Sequence, residues 1–294
     1  MTTRRTFIKQ TGTVAAGAWL LPSFAKKHKT KNIGIQLWTV RDVIGKDVTG
    51  TIRKIAEDGY KDVEIFFYSS DHKLWGLTGN EFKKLLDANG LKSSSGHYIF
   101  GSYFENGNLD DVHLSINVAH ALNNEYITIP SIEDKFKNTL DACKATAEKF
   151  NKLGEFCKKE GLKLAYHNHN IEFKQFGDTY GYEVFLKETD PALINFEMDI
   201  YWLVNAGKDP VTLFNQFPGR FPMWHVKDMD KNNREENTEV GKGSIDFKKI
   251  FANAKTSGMK HFFVEQESNY QPDVLGATKT DCDYIRQNLV PLLR

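Results

Sequence analysis

Eight short runs of β-branched and aromatic residues recur along the chain, and that recurrence limits the fold more than any other feature. The runs cover residues 33–39, 62–67, 91–97, 126–130, 163–169, 194–199, 223–227 and 261–265, so their starts lie 29 to 38 residues apart. That is the length of one strand with its crossover helix. Between the runs, apolar residues fall at three- and four-residue spacing, as in Leu140, Cys143, Ala147, Phe150, Leu153 and Phe156. This spacing predicts amphipathic helices over 48–57, 82–88, 135–160, 247–256 and 281–293. Gly59, Gly90, Gly161 and Gly258 each follow a helical pattern and precede a strand, where a C-terminal cap glycine belongs. Eight strands alternating with helices predict an α/β protein: a single-domain (β/α)8 TIM barrel over residues 33–294, with an open parallel sheet as the second architecture. A length of 294 residues would allow two domains, but no composition shift marks a boundary.

Composition removes several functions. Lys and Arg number 39 against 38 Asp and Glu, which lacks the basic excess of nucleic-acid binders. The three cysteines, Cys143, Cys157 and Cys282, are scattered and odd in number, and build neither a disulfide framework nor a CxxC knuckle. No apolar run approaches the roughly 18 residues of a membrane span. The first residues have their own pattern: Thr3-Arg4-Arg5-Thr6-Phe7-Ile8-Lys9, a weakly apolar stretch over 13–21, then Ser23-Phe24-Ala25. A basic start, a short apolar centre and a small-x-Ala end predict a secretory signal over residues 1–25, followed by a linker over 26–32. The paired arginines before Phe-Ile-Lys resemble a twin-arginine signal, which implies export to the periplasm. Without that segment the chain carries 39 − 3 = 36 positive against 38 negative residues, a net of −2.

A TIM barrel collects its chemistry at the C-terminal ends of its strands. Strand five ends Tyr166-His167-Asn168-His169-Asn170-Ile171-Glu172, and strand six ends Phe196-Glu197-Met198-Asp199. Strand seven ends Trp224-His225-Val226-Lys227-Asp228 and strand eight Val264-Glu265-Gln266-Glu267, while strand three ends in His97 and strand two carries Glu64. Alternate residues share a face, which pairs His167 with His169, Glu197 with Asp199, His225 with Lys227 and Glu265 with Glu267. An unpaired buried charge costs several kcal/mol, so such a set requires partners. A single His or Glu at a strand end is usually a hydrogen-bonded structural residue. Four consecutive strands ending in such residues point instead to a metal site. Carboxylates and imidazoles suit one divalent ion, Mn²⁺, Zn²⁺ or Mg²⁺, and the absence of Cys from the set excludes a thiolate site.

Several segments stand in a familiar order: Gly34-Ile35-Gln36-Leu37, Gly59-Tyr60-Lys61-Asp62-Val63-Glu64, Tyr166-His167-Asn168-His169, Met198-Asp199 with Ala206-Gly207, His225-Val226-Lys227-Asp228, Gly241-Lys242-Gly243-Ser244-Ile245-Asp246-Phe247 and Val264-Glu265-Gln266-Glu267. Over nearly all of the mature chain this order resembles the xylose-isomerase-like TIM barrels, the sugar phosphate isomerase/epimerase superfamily. The resemblance implies one divalent metal held by a Glu, an Asp, a His and a second Glu from strands five to eight. Asp199, His225 and Glu265 fall on the last three positions. Strand five has His167 where many relatives place Glu, and Glu172 is the expected substitute, narrowly ahead of His167. A metal on a sugar carbonyl and its neighbouring hydroxyl would polarise both oxygens and stabilise an enediolate. In that picture Glu265 doubles as base, His169 and His97 act as acid or base, and Lys227 binds or protonates a substrate oxygen. Glu64, His167, Trp38 and Glu267 are expected on the substrate, with Trp75, Trp202, Trp224, Tyr98, Phe100 and Tyr201 around a carbohydrate pocket.

Two glycines at Gly241 and Gly243 are a weak phosphate signal without the rest of a P-loop. In the resembled family this loop closes over the substrate, and export argues against a phosphorylated one. Trp202 stands where some ketose epimerases of the family carry His, which weakens a simple C3-epimerase reading. Three functions follow: a metal-dependent isomerase or epimerase of a keto-sugar or related polyol, a lyase or dehydratase of 3-keto-glycosides or keto-inositols, and a non-catalytic sugar-binding barrel. A nuclease like the family's DNA-repair branch lacks its extra ligands and basic groove. The expected partners are a small-molecule carbohydrate and further copies of the same chain in a homo-oligomer, with no nucleic acid and no membrane for the mature chain.

Overall fold

The structure is a computed structural model that describes residues 32–67 and 73–293. The expected signal segment and nearly all of the expected linker lie outside the described residues. Eight parallel strands close into a barrel: β1 (Gly34–Gln36), β2 (Asp62–Phe67), β3 (Lys92–Tyr98), β4 (Tyr126–Ile129), β5 (Lys163–His167), β6 (Ile194–Asp199), β7 (Met223–Val226) and β8 (His261–Val264). All eight predicted runs are strands, each paired with its neighbours in chain order. The ring is completed where Gly34 and Ile35 of β1 register with Phe263 and Val264 of β8. The open-sheet alternative is thereby excluded.

Strand alternation divides the side chains between two environments. Outward residues such as Ile35, Val63, Ile127, Leu164, Phe196, Trp224 and Phe262 pack into the main core with the helices. Inside the barrel, Tyr126, Ala165, Met223 and Phe263 form a separate small apolar cluster. Barrel interiors are normally filled by branched apolar residues. Here Gln36, Glu64, His97, Thr128, His167, Glu197, Asp199 and His225 are also fully or almost fully buried. The outward set includes three aromatics expected in the pocket. Trp224 stacks on Phe214 with ring centroids 5.1 Å apart, Tyr98 donates to Asn124 at 2.7 Å, and Phe100 belongs to the main core.

Helix ends follow the local chemistry. Asp47 caps the helix Val48–Asp58 by accepting from Gly50 N, Thr139 caps Leu140–Lys159 from Ala142 N, and Thr78 with Glu81 forms a capping box on Gly79–Ala88. The four predicted cap glycines all have positive φ, from 66° at Gly90 to 105° at Gly59. Two predicted boundaries move for physical reasons. The first strand stops at Gln36, because the Gln36 side chain accepts from Trp38 N and starts a 3-10 turn over Leu37–Val40. The last helix begins earlier, at Val274, where Asp273 caps it through Gly276 N.

Barrel closure tolerates no side chain at Gly34. A Cβ there would lie 2.5 Å from the Phe263 ring and 2.6 Å from the Phe262 carbonyl oxygen. Gly34→Ala is expected to cost about 1–3 kcal/mol through overpacking. At about 2–4 °C per kcal/mol for a domain of this size, thermal melting should show a drop of several degrees.

Candidate active site

The strand ends gather a layered cluster of ionisable side chains. β6 contributes Glu197 and Asp199. Asp199 also caps the helix Ile200–Asn205, its Oδ1 accepting from Trp202 N at 2.9 Å. Its Oδ2 is therefore turned away from that helix, and it is a buried oxygen without a hydrogen-bond partner among the described residues. Asn168, directly after β5, fixes the Asp199 backbone from both sides: its Nδ2 donates to Asp199 O and its Oδ1 accepts from Asp199 N. Around Asp199 Oδ2 stand Lys227 Nζ at 3.7 Å, His167 Nε2 at 3.8 Å and His225 Nδ1 at 4.0 Å. Glu265 Oε2 lies 3.1 Å from His225 Nδ1 and 3.2 Å from Lys227 Nζ, and Glu267 Oε1 accepts from Lys227 at 2.6 Å.

Beneath this layer lies a second one. Glu197 Oε2 is 2.7 Å from His97 Nε2, 3.1 Å from His167 Nδ1 and 3.2 Å from His225 Nε2. Glu64 Oε2 is 2.7 Å from His225 Nε2 and accepts from Gln36 Nε2 at 2.8 Å. Glu64, expected on the substrate, is completely buried and lies outside the cavity wall, where it meets His225 and Gln36.

A cavity of about 240 Å³ opens above, lined by Trp38, His97, Pro130, Ser131, His167, His169, Glu265 and Glu267. Six expected site residues thus share one wall, while Asp199, His225 and Lys227 sit fully buried behind it. Of the remaining expected aromatics, Trp202 lies 5.6 Å from the His169 ring, and Tyr201 and Trp202 hold Lys227 Nζ at 5.3 and 5.1 Å from their ring centres.

Burial and charge push these groups apart. Burial raises the Asp199 carboxyl to about 6, against the lowering pull of Lys227. Glu265 is held well below the usual carboxylate range because Lys227 and His225 outweigh its burial. Burial lowers His169 to about 4 and, together with His225, holds His167 well below the ordinary imidazole value. Burial also opposes the charged form of His97, but Glu64 and Glu197 outweigh it and raise that imidazole. Of the three imidazoles on the cavity wall, His167 and His169 are therefore shifted toward the neutral form and His97 toward the charged form.

The donor set fits a divalent cation. Ligand atoms of Asp199, His225 and Glu265 all lie within 4.8 Å of one another, and the orphaned Asp199 Oδ2 faces into the group. Two carboxylates and an imidazole suit Zn²⁺, Mn²⁺ or Mg²⁺. Glu172 does not join them. Its Oε1 accepts from Lys137 Nζ at 2.8 Å and Tyr166 OH at 2.6 Å, and its Oε2 accepts from His169 N at 2.9 Å. After Asn170 the chain enters a 3-10 turn over Ile171–Phe173, which delivers the carboxylate to Lys137 instead. His167 is the strand-five side chain that faces Asp199.

Gly241 N and Gly243 N donate to Asp228 Oδ2 at 2.8 and 3.0 Å, and Ile245 N donates to Asp228 Oδ1 at 3.1 Å. The amides that suggested a phosphate cradle are thus occupied by a carboxylate of the same chain. Sequence reasoning placed Glu197 on the face of Asp199 without giving it a role, and it gave none to Gln36, Asn168 or Lys137. The i, i+2 alternation was the available signal for Glu197; the other three are fixed by contacts remote in sequence.

Comparison with known proteins agrees with this architecture. Residues 52–288 match the family model described as xylose isomerase-like TIM barrel, and the chain belongs to that family. Among curated relatives, the inosose dehydratase of Lacticaseibacillus casei is 25% identical over 259 residues, covering 75% of this chain and 83% of that protein. The inosose dehydratase of Clostridium beijerinckii is 26% identical over 178 residues, 55% of each chain, so the match spans about half of that relative's length. A crystal structure of a sugar phosphate isomerase/epimerase from Parabacteroides distasonis superposes with a TM-score of 0.79 at 27% identity, covering 92% of this chain and 98% of that one. IolI protein with a bound zinc atom shares the fold, with a TM-score of 0.67 at 13% identity over 89% of this chain and 98% of that one.

The Lys137–Glu172 pair generates a prediction. Lys137→Met leaves a buried carboxylate without its counter-charge, which costs about 3–5 kcal/mol near neutral pH. Burial raises the Glu172 carboxyl, but Lys137 and His169 outweigh it and lower it. The pair's contribution is then present above the ordinary Glu value and lost as pH falls through the lower folded value. Melting curves of wild type and variant across acid pH should show the gap closing as pH falls below the ordinary carboxylate range.

Proposed function

We propose that the chain is a divalent-metal-dependent lyase that removes water, or a comparable leaving group, from a polyhydroxylated ring ketone such as a keto-cyclitol or keto-sugar. The carrying observation is geometric: two imidazoles of the cavity wall, His169 and His97, stand beside the ligand group of Asp199, His225 and Glu265, and their proton affinities are displaced in opposite directions. Elimination beside a ketone needs a base for a C–H proton and an acid for the departing oxygen, and groups with separated pKa values divide those roles. A ring nitrogen of neutral His169 accepts the proton from the carbon next to the carbonyl. His97, its Nε2 tied to Glu197, returns a proton from Nδ1 to the leaving hydroxyl, which departs as water as the C–O bond breaks. When bound by Asp199, His225 and Glu265, with His167 beside them, a divalent cation would polarise the carbonyl oxygen. Glu267, on the cavity wall and held from behind by Lys227, accepts from the remaining hydroxyls, and Trp38 offers an apolar wall to the C–H face of the ring.

The names of the relatives, inosose dehydratases, support the lyase reading over the isomerase one. The resemblance to a sugar phosphate isomerase/epimerase structure keeps isomerisation as the second reading, since proton removal at the same carbon begins both reactions. The twin-arginine-like segment supports an exported, periplasmic enzyme acting on an unphosphorylated substrate, and the filled Gly241–Gly243 amides agree.

Purified wild type dialysed against Mn²⁺ or Zn²⁺ should retain about one ion per chain, while Asp199→Asn and Glu265→Gln, folded by circular dichroism, should retain little. Loss of water from an inosose or a 3-keto-sugar, followed by the ultraviolet absorption of the conjugated product, should accompany the bound ion. Epimerisation without elimination would favour the second reading. Failure of folded wild type to take up any divalent ion would sink both.

A further inference from the structure

The lower layer of the site has a consequence for the upper one. Glu197 Oε2 is the common neighbour of three imidazole nitrogens, His97 Nε2, His167 Nδ1 and His225 Nε2, at 2.7, 3.1 and 3.2 Å. An ionised carboxylate only accepts hydrogen bonds, so each facing nitrogen must carry the proton. Neutral imidazole has one N–H and one lone pair, and fixing the first fixes the second. The bare nitrogen of His167 is then Nε2, which faces Asp199 Oδ2 at 3.8 Å. His225 meets a carboxylate at both nitrogens, Glu265 Oε2 lying 3.1 Å from its Nδ1, so Glu197 alone does not set its tautomer. Glu64 supports only part of this pattern: its Oε2 reaches His225 Nε2 at 2.7 Å and His97 Nε2 at 3.3 Å.

We propose that Glu197 is a positioning residue that selects the lone-pair nitrogen of His167 and so presets this imidazole to receive a divalent cation beside Asp199, His225 and Glu265. Glu197 is completely buried and absent from the cavity wall, so it touches neither solvent nor substrate. Burying a carboxylate is costly unless several donors meet it, and one of the three donors here, His167, is the side chain that requires a fixed tautomer. Its place two residues before Asp199 puts ligand and positioner on one face of one strand, so their spacing is set by backbone geometry. The inference rests on the metal reading of Asp199, His225 and Glu265.

Two measurements on the full chain separate the inference from that reading. With ¹⁵N-labelled histidine, the metal-free wild type should show His167 protonated at Nδ1 and bare at Nε2. The opposite tautomer overturns the proposal whether or not a metal binds. Titration with Mn²⁺ should then show Glu197→Gln binding about 10–100-fold more weakly than wild type. Glu197→Asp, which keeps an acceptor-only group, should recover part of the loss. Glu64→Gln should disturb the His225 signals and leave the His167 tautomer unchanged, which provides a test if Glu197→Gln does not fold. Equal Mn²⁺ affinity in wild type and Glu197→Gln would overturn the proposal. A wild type with the expected tautomer that binds no Mn²⁺ would overturn the metal reading, and the cation-presetting role with it.

Discussion

Four carboxylates inside one barrel mouth, Glu64, Glu197, Glu265 and Glu267, share the hydrogen-bond donors of one ammonium and three imidazoles, and a fifth, Asp199, stands 3.7 Å from that ammonium. The desolvation penalty of a buried ion is several kcal/mol, so each carboxylate can sit only where donors meet it. This constraint sorts the site into layers. The two deepest carboxylates take imidazole N–H groups. Glu267 takes the Lys227 ammonium, and Glu265 shares that ammonium and the His225 imidazole. Asp199 spends one oxygen on a helix cap and keeps the other for whatever cation the cavity admits. The barrel wall around these groups is apolar on its outer side, where Val63, Leu164, Phe196 and Val264 pack against the helices and keep water out. Excluding water strengthens every electrostatic contact inside, and it is also why a half-satisfied arrangement would be destabilising.

The barrel was legible because its two periods are local. Alternation at two residues and recurrence at about thirty can be counted without knowing what touches what, and they placed His167, Asp199, His225 and Glu265 on the inner face at the same end. The destination of Glu172 was not legible, because a short 3-10 turn carries it to Lys137, 35 residues back in the chain. No local pattern records such a pairing. Glu197 shows an intermediate case. Its face followed from alternation, but its role depends on how His97, His167 and His225 from three other strands lean toward one oxygen, which only barrel closure determines. Likewise, the loop at Gly241 and Gly243 offered backbone amides to an anion in sequence, and tertiary structure supplies that anion from Asp228.

Isomerase and lyase readings share their first proton transfer, so the difference between them lies on the far side of the substrate ring. An isomerase needs a group there that returns a proton to carbon. A lyase needs one that protonates an oxygen as it leaves. His97 suits the second task, because Glu64 and Glu197 below it stabilise its charged form while its ring still borders the cavity. The same two carboxylates also engage His225, so the acid of the proposed elimination and the imidazole facing Asp199 draw on one buried source of negative charge. The cavity above the cluster measures about 240 Å³. That space suits one polyhydroxylated ring rather than a chain of them. On the wall of that cavity stands Trp38, whose ring carries the Arg41 guanidinium at 5.1 Å from its centre.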